Sequence, residues 1–112
     1  MTLPMALLAL CPTEDVPEGE ARRVDAGGAD YAVYNLGGAF FVTQNTCTHG
    51  PGNLGEGFLE GDEIECDFHQ GRFDIRTGRA TAAPCTEPLT VWDVTVRDGQ
   101  VCIDPAAGRK SA

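Results

Sequence analysis

Apolar and polar positions alternate along this chain in short runs, and no stretch repeats at the 3.6-residue spacing of an amphipathic helix. Tyr, Val and Phe crowd residues 29–36 and 39–44, and the Gly37-Gly38 pair between them is the signal of a two-residue hairpin. A second hairpin is expected over 89–97 and 100–104 around Asp98-Gly99, where both turn residues tolerate positive φ. With that loop Val96 faces Val101 and Val94 faces Ile103, giving one apolar face that Trp92 continues. Shorter strands are expected at 5–10, 22–25, 58–60, 63–66 and 72–75, with a Gly61-Asp62 turn returning residue 66 toward residue 47. Glycines and a proline break the pattern between 45 and 57. Residues 79–88, with Pro84 and Pro88 around Cys85, read as a stiff loop that cannot occupy a central strand. Residues 106–112 read as a loose tail. Many short strands at regular turn spacing predict an all-β fold, an antiparallel sandwich or barrel.

Composition narrows the possibilities. A chain of 112 residues has the size of one domain with one core, so residues 1–112 are read as a single unit. Seventeen acidic against eight basic residues repel a polyanion at long range, which argues against nucleic acid as a partner. The N-terminal MTLPMALLAL is apolar but too short to span a bilayer, and it lacks a basic leader region; the expectation is a cytoplasmic protein with no membrane contact. Five cysteines are an odd number, and Cys11, Cys85 and Cys102 form no C-x-x-C pair. A reducing compartment fits better than a disulfide framework.

The candidate chemistry lies in CTHGPGNLGEGFLEGDEIECDFHQG, residues 47–71, which holds the only two histidines. The spacing is Cys47-x-His49, sixteen residues, then Cys66-x-x-His69. Four such donors on two short loops can close around a metal. A zinc staple is the plain alternative. A zinc finger, however, pairs its cysteines in one knuckle and its histidines on a helix, and here each loop brings one of each with no helix available. One Cys and one His per loop can instead sort by type, both thiolates on one iron and both imidazoles on another, as in a Rieske centre.

On these two ligand boxes, NTCTHGPGNL and IECDFHQGRFDIRTG, with the proline loop that follows, the chain resembles the Rieske family. It is most similar in kind to the small ferredoxins that serve bacterial aromatic ring-hydroxylating dioxygenases, over residues 5–104. The resemblance implies a Rieske fold and one 2Fe-2S cluster held by Cys47, His49, Cys66 and His69. The thiolates would lie on the inner iron and the imidazoles, through Nδ1, on the outer one, with their other nitrogens near solvent. The position of residues 79–88 after the second box makes that proline loop a candidate lid, and the resemblance further implies cluster loops over 45–75 and a monomer that is not itself an enzyme. Such a carrier moves one electron from a flavin-containing reductase to a terminal oxygenase. A small Rieske subunit of a nitrite-reductase-like complex and a zinc-stapled interaction module are the alternatives.

Compared with respiratory Rieske proteins, Gly52 and Phe68 stand where a bracing disulfide would be, so Pro51, Phe68 and the loop around Pro84 are expected to hold the ligand loops. Gly71 and Phe73 stand where a serine and a tyrosine would donate to cluster sulfurs. Fewer donors stabilise the more negative reduced state less, so the expected potential is about −150 mV rather than +300 mV. Gly71→Ser with Phe73→Tyr should then raise it. Cys85 and Cys102 are expected to be inert packing residues. Asp62, Glu63, Glu65 and Asp67 form an acidic run that suits a solvated hairpin or a docking patch.

Overall fold

The computed structural model describes residues 7–48, 52–67, 71–83 and 85–110. In chain order the strands are β1 (Leu8–Pro12), β2 (Ala21–Ala26), β3 (Ala29–Leu36), β4 (Ala39–Gln44), β5 (Phe58–Glu60) and β6 (Glu63–Glu65). There follow β7 (Arg72–Asp74), β8 (Ala80–Ala82), β9 (Thr90–Trp92), β10 (Thr95–Arg97), β11 (Gln100–Ile103) and β12 (Arg109–Lys110). All pairings are antiparallel, in a five-stranded sheet β12-β9-β4-β3-β2, a three-stranded sheet β1-β11-β10 and a four-stranded sheet β5-β6-β7-β8. Single 3₁₀ turns are the only helical elements among the described residues. The all-β expectation holds.

Both predicted hairpins form. Gly37 and Gly38 have φ of 62° and 95°, and Asp98 and Gly99 have φ of 53° and 72°, the left-handed pair that matches strand twist in a two-residue loop. Val96 lies opposite Val101 as expected, but pairing ends at Thr95 opposite Cys102, so the facing of Val94 and Ile103 is not made. The expected single strand 89–97 is in fact two strands in different sheets, with Asp93 and Val94 at the corner. The side-chain pattern could not reveal this. Alternation runs unbroken through Trp92, Val94 and Val96, and only the hydrogen-bonding partner changes.

Two other expectations are corrected. The proline loop starts with strand β8, which pairs with β7 at the edge of its sheet. Ala-Thr-Ala carries no strand signal of its own, and the ladder decides. The tail is not loose as far as Lys110: Arg109 pairs with Val91, Trp92 Nε1 donates to the Pro105 carbonyl at 3.2 Å, and Arg109 meets Asp93 at 2.8 Å.

Strand β3 is buried on both faces, and its period of two sorts residues into separate cores. Tyr31 and Val33 join Leu10, Cys11, Val16, Val42, Val101 and Ile103. Ala32 and Tyr34 face the other way, into a core with Cys47, Leu54, Ile64, Cys66, Phe73, Ile75, Cys85 and Leu89. The candidate site grows from this second core.

Candidate metal centre

The first ligand box leaves β4 through Asn45, which is fully buried and ties the loop into shape. Its side-chain amide donates to Asn53 Oδ1 at 2.9 Å and to Asp30 Oδ2 at 3.1 Å, and its Oδ1 accepts from Gly55 N at 2.9 Å. Its carbonyl accepts from Leu54 N at 2.8 Å. The loop therefore closes on itself before any metal is considered, and Cys47 N donates across it to the Gly52 carbonyl at 3.0 Å. Gly55 lets the turn lie on the β2 backbone, since a Cβ there would approach Arg23 N to 2.6 Å.

The second box leaves β6, as the Gly61 turn and the β5–β6 hairpin require, and Cys66 N donates to the Gly71 carbonyl at 2.8 Å. Asp67 then reaches across, its Oδ1 accepting from Asn53 N at 2.8 Å. That bond splices the two ligand loops. A third segment joins them where Thr48 Oγ1 donates to the Glu87 carbonyl at 2.8 Å, which ties the proline loop to the first box.

Cys47 and Cys66, 4% and 1% exposed, are brought into one core as the sequence predicts. His49 and His69 lie outside the described residues, as do Pro51, Phe68 and Pro84, the residues expected to brace the loops. Among the described residues the bracing comes from Asn45 and Asp67, which the sequence did not single out, and from the proline loop, expected to hold the boxes, through Thr48 and the Glu87 carbonyl. A signal existed in Asn45 and Asn53, amides flanking a glycine-rich break, because such side chains habitually bond nearby backbone.

Cys85 is the residue whose position was least foreseen. It is buried, as expected of an inert thiol, yet its Sγ lies 3.8 Å from Cys47 Sγ. Burial, then the neighbouring Cys47 and Cys66 sulfurs, push its pKa up to about 12, so it stays a thiol at neutral pH. Gly71 faces it: a Cβ at position 71 would run into the Cys85 sulfur and come within 3.1 Å of its Cβ and backbone N. The expected Gly71→Ser hydrogen bond therefore meets a steric obstacle, because the Cys85 sulfur occupies the space a serine side chain would enter.

Phe73 is fully buried in the same core. Behind it Tyr34 Oη lies 2.9 Å from Thr43 Oγ1; Thr43 donates its own hydrogen to the Gln44 carbonyl, so the phenol is the donor. The acidic run is partly neutralised. Arg72 meets Glu60, Glu63 and Glu65 at 2.6, 3.6 and 3.1 Å, and Arg76 meets Asp62 at 3.4 Å.

Two buried thiols on loops that are spliced together, within an all-β frame, suit an iron–sulfur centre that takes two thiolates from the protein's interior. The family model of the Rieske [2Fe-2S] domain matches residues 6–93, and the chain belongs to that family. Membership carries one 2Fe-2S cluster of Rieske type, and the zinc staple gives way to it. The ferredoxin component of the p-cumate 2,3-dioxygenase system of Pseudomonas putida is 50% identical over 103 residues, which cover 90% of this chain and 87% of that one. The solved Sphingomonas yanoikuyae B1 ferredoxin is 48% identical, covers 87% of this chain and 96% of its own, and superposes with a TM-score of 0.83. The ferredoxin matched in a solved complex of reduced oxygenase and oxidized ferredoxin of carbazole 1,9a-dioxygenase is 43% identical, covers 97% and 99%, and gives a TM-score of 0.83.

Proposed function

We propose that this protein is the electron-carrying component of an aromatic ring-hydroxylating dioxygenase system. It accepts one electron from a flavin-containing reductase and hands it to a terminal oxygenase. Bound, the cluster supplies a one-electron couple. Cys47 and Cys66 hold it from the core, and His49 and His69 complete the ligand set.

The observation that carries this reading is the convergence of Cys47 and Cys66 on spliced loops, in a chain similar along nearly its whole length to dioxygenase ferredoxins. The relative solved with its oxygenase supports a docking role rather than catalysis. The same reading makes residues 1–112 one domain, a monomer of the cytoplasm. In support of the compartment, all five cysteines are buried without a disulfide, and among the described residues no helix is long and apolar enough to cross a membrane.

Aerobically purified protein should be red-brown, and one electron per chain, delivered by a flavoprotein reductase, should bleach it and give a paramagnetic signal. Adding the oxygenase should restore the colour. Cys47→Ser, His49→Ala, Cys66→Ser and His69→Ala should each lose the signal. A Rieske signal that survives His49→Ala or His69→Ala overturns the ligand assignment. Failure of reduced protein to pass its electron to any ring-hydroxylating oxygenase overturns the function. Electrostatic steering of this acidic carrier predicts a transfer rate that falls steeply as salt rises.

A further inference from the structure

We infer that Cys85 is a positioning residue of the cluster whose thiol donates a hydrogen bond to the Cys47 sulfur and thereby sets the reduction potential. The inference rests on the proposal that Cys47 is an iron ligand. Three observations meet here. The two sulfurs are 3.8 Å apart, within hydrogen-bonding reach for sulfur, and both are buried where water does not compete. Gly71 lacks a side chain where the Cys85 sulfur lies, so the ligand loop and the proline loop share one packed contact. Thr48 Oγ1 bonded to the Glu87 carbonyl at 2.8 Å fixes the proline loop beside the Cys47 loop, which holds Cys85 in place.

Chemistry sets the direction of the bond. Between two thiols either sulfur could donate, but a thiolate bound to iron has no hydrogen left. Only Cys85 can then be the donor. Thiols are weak donors, although an anionic acceptor strengthens the bond. A donor to a ligand sulfur stabilises the reduced centre, which carries one more negative charge, so its removal lowers the potential. Cys85 thus stands in for the hydroxyl that Gly71 cannot carry. A thiol in that role leaves the potential toward the low end of the Rieske range.

The test compares holo-protein carrying Cys85→Ala, Cys85→Val and Cys85→Ser by voltammetry, with cluster content read from visible circular dichroism. Ala removes the donor, Val removes it while filling the volume, and Ser keeps a donor. Cys85→Ala and Cys85→Val should lower the reduced-to-oxidised ratio at a fixed potential by about threefold to tenfold, roughly 28–59 mV for one electron, with Cys85→Ser above both. Loss of the cluster from both Ala and Val with its retention in Ser also supports the donor. Unchanged potentials in Ala or Val, or equal falls in all three variants, overturn the inference while leaving the ligand assignment standing. A Rieske signal retained in Cys47→Ser removes its premise instead.

Discussion

The two faces of β3 lead to cores of different character. On the face of Tyr31 and Val33 the neighbours are almost wholly carbon, and Tyr31 meets Trp92 edge to face with ring centroids 5.0 Å apart. This core joins the five-stranded and three-stranded sheets, and neither Cys47 nor Cys66 lies in it. On the face of Ala32 and Tyr34 three thiols, Cys47, Cys66 and Cys85, sit among Leu54, Ile64, Phe73 and Leu89. That core joins the five-stranded sheet to the four-stranded one, and the loops of the two Cys-His boxes, one leaving β4 and one leaving β6, border it. A strand of period two can therefore support stability on one side and chemistry on the other. The difference lies in what approaches each face, and β3 itself is equally buried toward both.

The sharpest way to break this division is to make equal cavities on its two sides. Ile103 and Leu54 are both fully buried, one in each core, and truncating either to Ala should cost about 2–5 kcal/mol in thermal or denaturant unfolding. The consequences for the centre should diverge. Leu54→Ala loosens the turn that Asn45 organises, so the folded protein should bleach faster. Ile103→Ala should unfold earlier yet keep its colour while folded. Equal bleaching rates would erase the distinction. Next in size is Gly71→Ser, which forces a side chain against the Cys85 sulfur; overpacking of this kind costs about 1–3 kcal/mol. Reduced cluster loading is expected, where reasoning from sequence alone expects a raised potential. A stable, fully loaded variant with a higher potential would show that Cys85 yields easily.

Much of this was legible in the chain because the signals were local. The β3–β4 strands match their predicted bounds to the residue, since Tyr, Val and Phe alternate on either side of Gly37-Gly38. The two boxes announce themselves by spacing, and the turn at Gly61 brings Cys66 back into the same core as Cys47. What stayed hidden depended on partners distant in sequence. The sheet change at Asp93 and Val94 alters only backbone bonds. The pinning of Arg109 depends on β9, and the splice from Asn53 to Asp67 depends on two loops meeting. Cys85, thirty-eight positions from Cys47, gave no sequence sign of the contact that its sulfur makes. Its prolines pointed to a stiff loop that holds the ligand loops, and said nothing of the sulfur contact through which it does so.

The smallest expected effect tests whether the charged outer face of the four-stranded sheet belongs to the site or only covers it. Arg72 lies among Glu60, Glu63 and Glu65 on three neighbouring strands, and the hydrogen bond and charge of Glu60 hold its pKa up. These pairs are solvated, so each gains little over the separated ions, and Arg72→Ala should leave the melting temperature close to that of the native chain. The same change leaves three carboxylates without their shared cation. If the acidic surface steers a basic partner, the electron-transfer rate of Arg72→Ala should rise at low ionic strength and rejoin the native rate near 0.15 M salt, where the Debye length is about 8 Å. A large fall in melting temperature would make the ladder a structural clamp. A rate indifferent to the substitution at low salt would place the docking surface elsewhere, leaving the carboxylate run as the solvated outer side of a hairpin whose inner side holds Cys66.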